Sequence, residues 1–282
     1  MSYANPGAWE HLTITNDFVF CKAMLDESLC KSVLEAVLSM KIDRVEHVAR
    51  QHVLDTSPAT KSIRLDVYVH DGAGSAFDVE MQACQTPALA KRARYYHAQI
   101  ASEQLDRGEE YDRLPKAYVI FLCNFDPFGK GRRVYSFENR CAEEQGLVLD
   151  DGAQTLFLSA TSPRDARHSE QLNDLLDYMS VGKTDGELST RIEKRVREVI
   201  RSAEWRREYM LLEWRDRENV EKGIQIGLAR GFEQGANQLG ELISALLAQG
   251  RVEDAARAAS DPQARRQLAD ELDIAAAQPT IN

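Results

Sequence analysis

The stretch "RLDVYVHDGAGSAFDVEMQ", from Arg64 to Gln82, is the key to this chain. Apolar and polar residues alternate on both sides of a short glycine-bearing gap, the period-two pattern of two strands joined by a turn. Leu65, Val67 and Val69 then share one face with Phe77, Val79 and Met81, while Asp66, Tyr68, His70, Asp78, Glu80 and Gln82 share the other. The pairing depends on the loop. An odd number of loop residues, which "DGAGS" supplies when the turn centres on Ala73, sets Asp66 opposite Glu80 and Tyr68 opposite Asp78. A two-residue loop centred between Gly72 and Ala73 would pair Asp66 with Val79 and put the acids on opposite faces.

Like charges directly opposite one another destabilise a sheet. Two arrangements offset that cost. In one, the acidic face of a half-buried hairpin is wet and its charges are screened by water. In the other, a divalent cation sits between Asp66 and Glu80. Two carboxylates completed by water suit Mg²⁺ or Mn²⁺. Such an ion lowers the pKa of a bound water and neutralises charge on a phosphoryl oxygen, which is the chemistry of phosphodiester hydrolysis. Spacing alone does not choose between the two.

Outward from the hairpin, "TNDFVFCKAMLDESLCKSVLEAVLSM" predicts one helix capped by Thr15 or Asn16, with apolar residues at helical spacing. "RVEHVARQHVL" reads as a strand or a loop. Beyond Pro87, "ALAKRARYYHAQIASEQLDRG" predicts a helix ended by Gly108. "PKAYVIFLCNF" is a near-continuous apolar run, as expected for a strand buried on both faces. "RRVYSFEN" and "QTLFLSA" predict two more strands separated by turn residues.

The 282 residues hold 35 Lys and Arg against 45 Asp and Glu, a formal net charge of -10. That balance argues against a protein that coats nucleic acid non-specifically, because such affinity comes from neutralising phosphates. It leaves room for a local basic groove. The five cysteines show no CxxC spacing and read as reduced thiols of a cytoplasmic protein. No HxH, HExxH or GxxxxGK[ST] pattern occurs, which speaks against a zinc enzyme and a phosphate loop. No apolar run approaches the ~18 residues of a membrane span, and the first residues lack a signal peptide's basic and apolar regions.

In order, "TNDFVFCKAML", "RLDVYVHDGAGSAFDVEMQ", "KRARYYHAQI" and "RGEEYDRLPKAYVIFLCNFDPF" resemble the recombination-promoting nuclease/putative transposase family of the PD-(D/E)XK nuclease superfamily. The resemblance covers about residues 12 to 160 and extends loosely into the tail. It implies an α/β protein with a restriction-endonuclease-like core, a mixed sheet flanked by helices. It also implies metal-dependent cleavage of DNA, with Mg (or Mn) as cofactor. Asp66 matches the metal-binding Asp of the superfamily and Glu80 the acid of its (D/E)xK motif. Gln82 stands where that motif has lysine, a departure the family shares. Glutamine orients a water or a phosphate oxygen but brings no positive charge to the transition state. Lys91, Arg92 or Arg94 of the following helix would replace that charge, or the metal carries it alone. Failing both, catalysis is slow or absent, and the chain is a nuclease-fold DNA-binding or assembly module. Asp17 is either an outer acid of the site or an ordinary acid of a helix's first turn.

Composition changes near Ser162 and Pro163, which sets an expected boundary: a nuclease-like domain over 1–165 and a long helical C-terminal region over 166–282. In that region Leu188, Ile192, Val196, Val199, Ala203, Met210 and Trp214 form one apolar stripe, flanked by Glu187/Arg191, Glu193/Arg197, Glu213/Arg217 and Glu218/Lys222 at i,i+4 spacing. Gly223, Gly227, Gly231 and Gly235 then recur every four residues, each costing a helix about 1 kcal/mol against alanine. They mark either a close helix–helix contact or a weakly helical linker. The expected assembly is a homodimer through the C-terminal helices, since C2 is the commonest symmetry and two sites suit the two strands of a duplex.

Overall fold

The computed structural model describes residues 9–54, 63–105 and 107–274, and side chains are described for all of these but 47–54 and 63–64. Two short helices, α1 (Asp17–Ala23) and α2 (Glu27–Leu38), open the fold. The single helix expected here is interrupted. Asp26 turns extended and its carboxylate accepts from the Leu29 N–H at 3.0 Å, an N-cap that starts a second helix. Asn16 caps the first through the Val19 N–H.

Strand β1 (Val45–Leu54) settles the reading of the segment before the hairpin as a strand. Strands β2 (Ile63–Asp71) and β3 (Ala76–Gln82) form the antiparallel hairpin, pairing Val67 with Val79, Tyr68 with Asp78 and Val69 with Phe77. The loop is the odd one. The Asp71 N–H donates to the Ser75 carbonyl, and the Asp71 carboxylate accepts from the Ala73 and Ser75 N–H groups at 2.9 and 2.8 Å. Gly74 takes a φ of 84°, which a side chain would resist.

After β3 the chain crosses through α3 (Leu89–Gln104) to β4 (Ala117–Cys123), parallel to β3. Helix α3 stops at Leu105, before the expected Gly108. Strands β5 (Val134–Phe137) and β6 (Ala153–Ser159) finish a six-stranded mixed sheet of order β1-β2-β3-β4-β6-β5, with β6 parallel to β4 and β5 antiparallel on the edge. All seven residues of β3 and of β4 are buried, so both sheet faces are covered. On one face α3 packs Ala93, Tyr96 and Ile100 onto Tyr68, Val119, Phe121 and Phe157. Helix α1, packed on β1 to β3, belongs to the opposite face. The acidic face of the hairpin is therefore not wet, as a half-buried hairpin would have it: α3 roofs it.

Helices α4 (Glu170–Val181) and α5 (Glu187–Arg201) lie beyond the expected boundary at 165 but pack in the same compact unit, which spans 1–207. Leu188, Ile192, Val196 and Val199 face inward on α5. Arg191 donates to the hydroxyls of Ser28 and Ser32 on α2, and the Trp9 indole donates to the Ile200 carbonyl at 2.8 Å. Arg133, at the foot of β5, is buried and ion-paired with Asp177 of α4. The apolar stripe expected to run to Trp214 breaks at Ser202, whose hydroxyl accepts from the Trp205 N–H and starts helix α6 (Ala203–Ala248). Met210 and Trp214 on α6 are exposed.

The second unit spans 208–282. There the end of α6 packs with α7 (Val252–Ser260) and α8 (Pro262–Glu271) around Leu242, Leu246, Ala258 and Leu268. The glycine-punctuated stretch is continuous helix, and a Cβ added at Gly223, Gly227, Gly231 or Gly235 would meet nothing within 4 Å among the described residues. The four glycines face open space within the chain.

Candidate active site

The β2–β3 ladder runs only as far as Val67 and Val79. One step further, side chains take over the rungs. The Asp66 N–H donates to Glu80 Oε1 at 3.1 Å, and the Met81 N–H donates to Asp66 Oδ2 at 3.0 Å. The two carboxylates thus cross between the strands and are fixed at one place, each by the other strand's backbone. The parallel pairing of β3 with β4 continues past this point, through Gln82 and Cys123. The site sits toward the C-terminal ends of the parallel strands, where α/β sheets characteristically place their ligands.

The surroundings are nearly dry. Glu80 is 2% exposed and Gln82 8%. Burial first, and the charge of Asp66 second, lift the Glu80 carboxyl from 4.5 to about 8. Asp78, fully buried two residues earlier on the same face, is pushed well above the carboxylate range by burial and by the charges of Glu80 and Asp66.

Of the three basic residues on α3 that the sequence offers, Arg92 turns inward. Its Nη2 donates to Glu80 Oε2 at 3.0 Å and to the Tyr96 hydroxyl at 2.9 Å, and its Nη1 donates to Gln82 Oε1 at 3.2 Å. The guanidinium also lies over the rings of Tyr96 and Phe121. Gln82 is held by Arg92, by Thr86 and by its own donation to the Met81 carbonyl. Lys91 and Arg94 are exposed on the same helix and make no side-chain hydrogen bond or ion pair among the described residues. Asp17 is exposed in the first turn of α1, where its carboxylate accepts from the Phe18 N–H at 2.7 Å. No contact joins it to the acid pair among the described residues.

Two neighbours complete the site: Asp78, which the sequence offers only as one more acid of the hairpin's polar face, and Tyr96, which with Tyr95 and Gln99 reads from sequence as packing the helix on the sheet or as a phosphate contact. Burial holds the Tyr96 hydroxyl protonated, with a pKa pushed up to about 12. Its signal was present in the i,i+4 spacing from Arg92, and that of Asp78 in its place two residues before Glu80.

The donor set consists of hard carboxylate oxygens without thiolate or imidazole, which fits Mg²⁺ or Mn²⁺ and not a softer metal. No group of three or more His, Cys, Asp or Glu among the described residues is placed to hold a metal ion together. A cation held by Asp66 and Glu80 would take its remaining ligands from water and phosphate, the usual situation of Mg²⁺.

A mixed sheet flanked by helices, with two carboxylates converging at strand ends, defines a nuclease-fold protein. The family model described as PD-(D/E)XK nuclease family transposase matches residues 14–226, and the chain belongs to that family. The match takes in α4, α5 and the first part of α6 together with the sheet. Nucleases of this family generally use divalent metals, and the family implies binding to DNA. No curated protein and no solved structure matches the chain. No helix among the described residues is long and apolar enough to cross a membrane.

Proposed function

We propose that the protein is a Mg²⁺- or Mn²⁺-dependent DNA endonuclease of the cytoplasm, hydrolysing phosphodiester bonds in recombination, mobile-element or phage-defence settings. The crossed Asp66/Glu80 pair carries this reading. Two ionised carboxylates so close, one of them buried and the other half-buried, repel each other, and a divalent cation relieves that repulsion. Asp66 and Glu80 would hold the metal. When bound, it would activate a water and neutralise a phosphoryl oxygen. Glu80, protonated at neutral pH without a cation, must release its proton for metal to bind. Gln82 and Tyr96 hold the Arg92 guanidinium in place. Arg92 cannot act as a base, because arginine stays protonated. Its role is to offer fixed positive charge to the phosphate where the motif's lysine would otherwise do so. Lys91 and Arg94 are free for contacts to the DNA backbone.

Assembly as a homodimer through the second unit supports cutting of both strands. Trp214, Val220, Ile224, Leu228 and Phe232 are exposed along α6, more apolar surface than a helix ordinarily leaves to water. The competing reading is a weak or inactive nuclease-fold module that binds DNA, and the Arg92–Glu80 contact favours it, because Arg92 already occupies Oε2 of a residue that would hold the metal. A plasmid-nicking assay decides between them. Nicking that needs Mg²⁺ or Mn²⁺, stops in EDTA and is abolished in Asp66→Ala supports the enzyme. Equal nicking by Asp66→Ala, or none with either metal, sinks it.

A further inference from the structure

A ladder of aromatic rings leads away from the acid pair. Tyr96, under the Arg92 guanidinium, stacks on Phe121 at 6.3 Å, and Phe121 stacks on Phe157 at 4.9 Å. The edge of Phe157 then meets Phe128 at 5.2 Å and Phe137 at 5.8 Å. Phe157 is buried, but Phe128 is 38% exposed and Phe137 48%. Phe128, Phe137 and Phe157 line a cavity of about 540 Å³ between α3 and the β5–β6 edge, within the ~300–1,000 Å³ of small-ligand pockets.

Beyond the rings the lining is polar: Glu138 is ion-paired with Arg140, and His97 is hydrogen-bonded to Thr155. On the α3 wall stands Arg94, without a side-chain partner among the described residues. On the opposite wall lie Asn139 and Asp151, whose side chains are joined by a 2.6 Å hydrogen bond and retain free acceptor capacity. The loop after β4, at the same sheet end as the acid pair, carries Lys130 and Arg132, both exposed. Asp126 fixes that loop, accepting from the Phe128 and Gly131 N–H groups and from the Tyr135 hydroxyl.

A ligand that fits is flat and aromatic, with an anion at one end and hydrogen-bond donors at the other. We propose that this pocket takes an unpaired nucleobase of the DNA substrate, stacked on Phe137 and Phe128, with its backbone phosphate at Arg94. The occupant rests on the nuclease reading above, and the ring ladder connects the pocket, across β4 and β6, to the acid pair. A base inside an intact duplex cannot reach the pocket. The substrate class is therefore single-stranded, looped or distorted DNA, or duplex from which one base is extruded.

The test is equilibrium binding of a fluorescent single-stranded oligonucleotide and its duplex to the full-length protein in EDTA, so that cleavage never enters. Wild type should prefer the single strand. Phe137→Ala should weaken that binding roughly 5- to 150-fold, the worth of one stacked base, with an unchanged melting temperature, and Phe137→Trp should restore it. A 2-aminopurine base in the strand should be quenched by wild type and not by Phe137→Ala. The proposal is overturned if Phe137→Ala binds and quenches like wild type, if wild type prefers duplex, or if wild type binds neither DNA. Phe137-dependent binding without metal-dependent nicking would remove the nuclease reading alone; nicking without a Phe137 effect on binding would remove this one alone.

Discussion

Without divalent metal, the protein should lose stability as pH rises from 6 to 9, and Glu80→Gln should make that loss smaller. Burial lifts the Glu80 carboxyl from 4.5 to about 8. The folded state therefore holds a proton that the unfolded chain has already released across that window. The associated stability is complete below pH 4.5 and is lost progressively as pH climbs to about 8. At about 1.36 kcal/mol per pH unit, the stretch from pH 6 to pH 8 is worth about 3 kcal/mol. Asp78 has the same sign, because its carboxyl is also raised, so some slope should survive in the variant. The amide introduced by Glu80→Gln would keep the side chain's shape and its acceptor for the Asp66 N–H but cannot ionise. Urea unfolding in EDTA at pH 6 and pH 9 measures both proteins. Adding Mg²⁺ or Mn²⁺ at pH 9 should restore wild type and leave Glu80→Gln unchanged. If the two proteins fall alike between pH 6 and pH 9, or wild type grows more stable, the crossed and dehydrated acid pair is not the source of the effect.

Truncation locates the end of the first folding unit: a chain ending at residue 165 should be unfolded by circular dichroism, and one ending at 207 should melt cooperatively. Helices α4 and α5 bury nine large apolar side chains, from Leu172 to Val199, and at about 1.5–3 kcal/mol each their loss exceeds the ~5–15 kcal/mol stability of a typical domain. By light scattering the full chain should be dimeric and the 207-residue chain monomeric; a monomeric full chain would refute the second unit's role. Arg92→Ala should lower the cleavage rate roughly 100-fold, the scale of a lost transition-state donor, and Arg92→Lys should recover part of it; unimpaired cleavage by Arg92→Ala would show that the metal carries the charge alone. Gly186→Ala should cost about 3 kcal/mol, read as a lowered melting temperature. Its Cβ would overlap the Asp174 carboxylate, which is buried and accepts from the Gly186 N–H, the Ser189 N–H and the Ser189 hydroxyl. An unchanged melting point would mean that Asp174 moves freely.

The hairpin could be read from residue order alone, because a strand's faces follow from a period of two and its register from whether the loop is odd. Asp66 opposite Glu80 was therefore legible from Arg64 to Gln82, and the apolar run of β4 announced a strand buried on both faces. The break at Asp26 was not read, because apolar residues on both sides of it keep helical spacing and the sequence reads as one helix. Which of Lys91, Arg92 and Arg94 turns toward the acids was not legible either. Those residues point three ways from one helix, and only the rotation with which α3 docks, set by Ala93, Tyr96 and Ile100 against the sheet, selects Arg92. The dryness of the site came from that same docking, since nothing local to β2 or β3 says that a helix will roof their polar face. The extent of the compact unit was likewise a tertiary matter. An apolar stripe specifies that α5 must be covered but not by what, and its cover turned out to be elements such as α1 and Trp9, nearly two hundred residues away along the chain.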